Sequence, residues 1–172
     1  MRAFIGIAVP PLPKIVKALN FLKRFDVKCV EKENLHINIV FLGDIREEKA
    51  NEIADALDCL EGFGSFKVRV SYISAFPSKE RINVIWASAV SDKLMELEKK
   101  VMSLEPLKSI KKDKAFIPHI TLARVKKRPP MEIREVFNLN DLGEFTAEGL
   151  VLYESKLTTR GPIYSKLHVV KL

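Results

Sequence analysis

Two short runs, Leu35-His36-Ile37-Asn38-Ile39-Val40-Phe41 and Pro118-His119-Ile120-Thr121-Leu122-Ala123-Arg124, each set a histidine two positions before a small polar side chain inside an apolar, β-branched segment. On a strand, residues two apart project from one face, so each run offers an imidazole and a hydrogen-bonding group side by side. Ile37, Ile39, Ile120 and Leu122 then turn to the opposite face and into a core. Imidazole titrates near neutrality and serves there as either acid or base. Two such strands facing one cleft would surround a small anion with two titratable nitrogens and two short polar groups. That equipment suits cleavage of a phosphodiester: a neutral histidine activates the attacking oxygen and a protonated one supplies the departing oxygen. Asn38 and Thr121 can donate to non-bridging oxygens and Arg124 can add a charge-assisted bond, favouring the charge that accumulates in the transition state. Arg124 lies five positions after His119, and Phe41 five after His36. On a regular strand that odd separation turns both away from the cleft, so each contributes only if its strand twists, bulges or ends.

The elements that must position these residues occur in two rounds. Arg2 to Val9 reads as a strand, and Leu12 to Arg24 as an amphipathic helix with Ile15, Val16, Leu19 and Leu22 on one side. The polar stretch Glu31-Lys32-Glu33-Asn34 leads into the first histidine strand, which ends at Gly43. A helix over Arg46 to Leu60 and a strand over Phe66 to Ala75 follow. In the second round, Arg81 to Val90 is a strand, Ser91 begins a helix through Leu94, Leu97 and Val101, and a lysine-rich loop precedes the His119 strand. Past Pro129-Pro130, a short helix spans Met131 to Val136, and Glu144 to Tyr153 and Tyr164 to Val170 are strands joined by a turn through Thr158-Thr159-Arg160-Gly161-Pro162. This is the pattern of a degenerate internal duplication. It predicts an α+β protein, residues 1–172 forming a single bilobal domain. Its two pseudo-symmetric, mainly antiparallel sheets carry helices on their outer faces and meet at a central cleft.

A chain of 172 residues suits one domain, and a formal charge of +7 favours an anionic partner. The apolar opening Phe4-Ile5-Gly6-Ile7-Ala8-Val9 is too short to span a bilayer and is closed by Pro10-Pro11, so a cytoplasmic protein with no membrane partner is expected. Cys29 and Cys59 read as reduced, semi-buried residues. No carboxylate or cysteine stands at ligand spacing beside His36, His119 or His168, so no metal and no cofactor are expected, and His168 is expected to be structural or exposed. Glutamine is absent while Lys and Glu are abundant, a bias of heat-adapted proteins. The basic stretches Lys108-Ser109-Ile110-Lys111-Lys112-Asp113-Lys114 and Lys126-Lys127-Arg128 flank the second histidine strand, either as solvated loops or as guides for an RNA backbone. Phe41, Phe76, Trp86 and Tyr164 belong mostly to the core, with one of them a candidate to stack on a base.

Taken together, the paired His-x-(Asn/Thr) motifs, the run Pro118 to Arg124, Phe41-Leu42-Gly43 and the late Gly161-Pro162-x-Tyr164-x-x-Leu167 resemble the two-histidine phosphoesterase superfamily, in its branch of RNA 2',3'-cyclic phosphodiesterases, historically called 2'-5' RNA ligases. The resemblance covers essentially the whole chain. It implies hydrolysis of a 2',3'-cyclic phosphate, at an RNA end or on a nucleoside, to a 2'-phosphomonoester without metal or cofactor. By that likeness His36 corresponds to the acid for the leaving O3', His119 to the base that activates water, and Asn38, Thr121 and Arg124 to the groups that hold the phosphate. Asn38 departs from the usual Thr or Ser, so a changed rate or preference is expected. The alternatives are 2'-5' ligation of cyclic-phosphate and 5'-hydroxyl ends by the same acid and base, or a non-catalytic RNA- or nucleotide-binding module. A monomer is expected.

Overall fold

A computed structural model describes residues 1–112 and 114–172; Asp113, within the basic stretch Lys108 to Lys114, lies outside the described residues. The strands are β1 (Arg2–Ala8), β2 (Lys28–Cys29), β3 (His36–Asp44), β4 (Phe66–Pro77), β5 (Ile82–Val90), β6 (His119–Arg124), β7 (Gly143–Ala147), β8 (Gly149–Thr158) and β9 (Gly161–Lys171). The helices are α1 (Pro13–Leu22), α2 (Glu47–Leu57) and α3 (Asp92–Met102), with a 3₁₀ helix at Met131–Asn138.

Local chemistry explains the helices. Pro13 opens α1, where a missing N–H costs nothing, and Ile15, Ala18, Leu19 and Leu22 form its buried stripe. Glu47 and Glu48 sit in the first turn of α2, where the positive end of the helix dipole favours them. Ser91 caps α3 by accepting from the Lys93 N–H at 3.2 Å, and Lys99 and Lys100 occupy its last turn. All three helices lay their apolar stripes against one face of the sheet, closing a core that includes Ile5, Ile7, Ile37, Ile85, Ile120 and Leu122. Among the described residues no helix is long and apolar enough to cross a membrane.

The strands follow one hydrogen-bonded path, β7-β4-β5-β6-β3-β1-β8-β9, with β2 added to β6. All pairings are antiparallel. About the junction of β3 and β6 the path divides into two lobes, β3-β1-β8-β9 and β6-β5-β4-β7, each led outward from a histidine strand. The two expected sheets therefore touch through their histidine strands. Each lobe also borrows from the other half of the chain: β4, which follows α2, pairs with β5, whereas β8 pairs with β1.

Several expectations need correction. The single strand expected over Glu144 to Tyr153 is two, broken at Glu148, because β7 pairs with β4 while β8 pairs with β1 and β9. The helix at Met131 is 3₁₀, reaching Asn138. Cys59 is exposed rather than semi-buried, and Cys29 is half-buried; both are free thiols. One glycine is needed for a close approach at the centre. A Cβ on Gly6, which pairs with Asn38, would stand 2.8 Å from the Ile37 carbonyl oxygen, so a side chain there would push β3 away from β1.

Candidate active site

The centre of the site is set by one registered pair, Ile37 on β3 against Ile120 on β6. Both isoleucines are fully buried, so their neighbours along each strand face the other way. Carrying the antiparallel register one residue in each direction sets His36 opposite Thr121 and Asn38 opposite His119. The four motif side chains thus form a square on the open face of the sheet with the two imidazoles at one diagonal. Directly opposed residues have Cβ atoms about 4.5–5.5 Å apart and diagonal ones lie about 7–8 Å apart, a span in which two rings can grip a phosphate-sized group.

The parity of Arg124 is resolved by a bulge. On β5 and β6, Val84 pairs with Arg124 and Ile85 with Ala123, but Trp86 pairs with Thr121, leaving Leu122 without a partner. Leu122 and Ala123 are buried in succession and Arg124 emerges on the histidine face. The Arg124 charge depresses the protonation of both imidazoles and acts on the Tyr164 hydroxyl, as its position on that face requires. The same device recurs in β3. Ile5 pairs with Val40 and Gly6 with Asn38, so Ile39 is the extra residue and Phe41 joins the face of His36. The Phe41 ring is 51% exposed, and the Arg2 guanidinium lies 5.1 Å from its centroid.

Each histidine is held in the same way. His36 Nδ1 lies 2.7 Å from the Asn34 carbonyl oxygen, and His119 Nδ1 lies 2.6 Å from that of Ile117. A carbonyl only accepts, so Nδ1 carries the hydrogen in both rings and Nε2 is left as the nitrogen that exchanges a proton. Asn34 is itself tied down, donating from Nδ2 to the Pro162 carbonyl at 3.0 Å, which joins the turn before β3 to the β8–β9 hairpin.

Aromatic rings wall both imidazoles. Phe4 and Tyr164 lie 4.8 and 5.3 Å from His36, and Phe76 and Trp86 lie 5.1 and 5.8 Å from His119, centroid to centroid. Burial against these rings holds both histidines below their ordinary 6.5. The carbonyl bonds partly oppose it; His119 and Arg124 push His36 further down, and Arg124 does the same to His119. Burial pushes the Tyr164 hydroxyl up, against the pull of Arg124 and Arg2. Protonating either ring is therefore harder in the folded state than in the unfolded one. The stability this gives is present above the ordinary value of 6.5 and is lost as pH falls through the folded values.

The structure brings together every residue singled out for the site: His36, His119, Asn38, Thr121, Arg124 and Phe41. It adds Phe4, Asn34 and Arg2, which sequence reasoning missed, and gives Phe76, Trp86 and Tyr164 places as walls. The signal for Arg2 and Phe4 was their position on the strand paired with β3, which no local pattern reveals. His168 is held elsewhere, its Nε2 2.6 Å from Asp58 Oδ1.

Comparison with known proteins agrees with the family resemblance and with the fold. The model of the LigT-like phosphoesterase family matches twice, over residues 7–86 and 87–164, each match holding one histidine motif. The chain is 38% identical over 170 residues to the RNA 2',3'-cyclic phosphodiesterase of Methanocaldococcus jannaschii, covering 95% of this chain and 96% of that protein. It is 32% identical to the protein of the same name from Archaeoglobus fulgidus, covering 98% and 99%. Relatives from Thermotoga maritima and Thermus thermophilus accord with the heat-adapted composition. Among solved structures, TT0787 of Thermus thermophilus superposes with a TM-score of 0.78 at 26% identity, covering 100% of this chain and 98% of that one. E. coli LigT complexed with 3'-AMP shares the fold, at a TM-score of 0.75 and 19% identity, covering 99% and 97%.

Proposed function

Since the chain belongs to the LigT-like phosphoesterase family, we propose that it is a cyclic phosphodiesterase that opens 2',3'-cyclic phosphate ends of RNA to 2'-phosphomonoesters. The observation that carries this reading is the diagonal placement of two imidazoles across the Ile37–Ile120 pair, each with Nε2 unbonded among the described residues. In the proposed reaction His119 Nε2 takes a proton from water as its oxygen attacks phosphorus. The P–O3' bond breaks, and His36 Nε2 gives its proton to O3'. Asn38, Thr121 and Arg124 hold the non-bridging oxygens, and Phe41 stacks on the terminal base. The acid and base roles rest on likeness to the family.

The deciding experiment is product analysis after incubation with a cyclic-phosphate-ended RNA in excess chelator. A 2'-phosphate end is expected. A 3'-phosphate, a 2'-5' joined product, or activity that vanishes with the metal would each replace this reading with a different one.

The pH dependence follows from the lowered imidazoles. Productive free enzyme has one ring protonated and one neutral. With both rings depressed, that form is populated below their ordinary 6.5. The profile of kcat/KM is therefore expected to peak below about pH 6.5 and to fall toward about pH 8. A bound phosphodiester anion opposes the depression, so the kcat profile is expected to lie at higher pH than that of kcat/KM. A kcat/KM maximum at or above about pH 8 would mean that these buried rings do not carry the reaction.

A further inference from the structure

Beyond the ends of β5 and β6 lies a cavity of about 590 Å³ that the proposed reaction does not use. Its walls come from two distant stretches, the β4–β5 turn at Lys79–Asn83 and the segment Val125–Arg134. They are joined where the Val125 N–H donates to the Asn83 carbonyl at 2.8 Å. Arg124, on the imidazole face, immediately precedes that junction in the chain, and Val125 is the first residue of its segment to line the cavity. Six cationic side chains line it, Lys79, Arg81, Lys126, Lys127, Arg128 and Arg134, against one carboxylate, Glu80. Two of the six stiffen the wall: the Arg134 guanidinium donates to the Lys79 carbonyl, and the Lys79 ammonium lies 5.3 Å from the Phe137 ring. Arg81, Lys126, Lys127 and Arg128 are exposed, and none enters an ion pair among the described residues. Ile82, Pro129 and Pro130 add apolar lining among the charges.

Like charges gathered in a concave wall repel one another and raise the local concentration of a polyanion. A basic trough with apolar patches, whose wall continues the strand that carries His119 and Arg124, matches the way single-stranded nucleic acid is tracked along its backbone. We propose that this cavity is a subsite for the phosphates of a single-stranded RNA, holding the nucleotides that lead to the cyclic end. The inference rests on the cyclic-phosphodiesterase reading and adds to it the place where the chain leading to the cyclic end is held.

The test divides kcat/KM for a six-nucleotide RNA ending in 2',3'-cyclic phosphate by kcat/KM for a nucleoside 2',3'-cyclic phosphate, in the wild type and in Lys126→Glu/Lys127→Glu. The wild type is expected to favour the oligomer. Its advantage should fall with salt at a log–log slope of about −0.7 for each phosphate neutralised. The double variant is expected to lower the ratio at least about tenfold and to flatten that slope. Arg81→Glu, on the opposite wall, is expected to lower the same ratio and stands in if the double variant does not fold. A ratio unchanged by these variants, or a wild type indifferent to length, overturns the subsite while turnover of the nucleoside substrate keeps the catalytic reading intact. Binding of an acidic polypeptide of equal charge that matches binding of a 2'-phosphate-ended RNA would assign the trough to a protein partner and also overturn it. A wild type that turns over neither substrate overturns the catalytic reading and the subsite together.

Discussion

Replacing His36 or His119 by alanine is expected to lower turnover of a nucleoside 2',3'-cyclic phosphate by at least about 100-fold, with the double replacement little worse than either single one. The magnitude comes from the loss of positioned proton transfer, and the lack of additivity from the coupling of two half-reactions. Without the acid, O3' leaves as an alkoxide however well water is activated. Without the base, a protonated His36 has no nucleophile to complete. Each ring is also locked by its Nδ1 bond to the carbonyl two residues earlier, so glutamine or asparagine at either position cannot reproduce an Nε2 that both gives and takes a proton. Steady-state kinetics on the two single variants and the double variant, with thermal melts to check folding, measure this directly. Wild-type rates in either single variant would remove the acid–base assignment.

The second large effect is expected at Arg124. Replacement by alanine should lower kcat about 10²–10³-fold, the usual consequence of losing one preorganised donor to a transition-state oxyanion. Lysine should recover only part of the loss, because a point charge on a flexible stem does not reproduce the two parallel donors of a guanidinium. The expectation depends wholly on the extra residue Leu122. Without that bulge Arg124 would project toward the core side of the sheet and its removal would affect stability instead. Separate measurement of kcat, KM and melting temperature distinguishes the two. A full kcat with a lowered melting temperature would place the guanidinium in a structural role. Removal of the Arg124 charge should also let both imidazoles rise, moving the acidic limb of the pH profile upward.

Much of the chemistry was legible before any fold was known. The pairing of a histidine with Asn38 or Thr121 two positions on is a property of strand geometry alone, since alternate residues share a face whatever lies beside them. The duplication was equally readable, because each round must rebuild the same amphipathic helix and apolar strand to bury its half of the core. The helices over Pro13–Leu22 and Glu47–Leu57 fall within the spans that periodicity assigned to them, and Asp92–Met102 runs just past the expected end at Val101. The failure at Glu144 to Tyr153 has a clear cause. The core-facing positions shift from Phe145 and Ala147 to Leu150 and Leu152 where the hydrogen-bond partners change from β4 to β1 and β9, and the unbroken apolar run Leu150-Val151-Leu152-Tyr153 hides that slip.

What the sequence by itself determined is therefore which groups are the candidates for chemistry and that there are two sets of them. Only the tertiary structure decided how those groups meet. Whether His36 faces His119 depends on the register of β3 against β6, selected by the burial of Ile37 and Ile120 together. Arg124 and Phe41 reach the site through bulges at Leu122 and Ile39, which exist only relative to the neighbouring strands. The rings around each imidazole and the basic trough past Arg124 are assembled from segments distant in the chain. Alternation is local, whereas register, bulges and walls are relations between strands, and a linear chain does not state its partners.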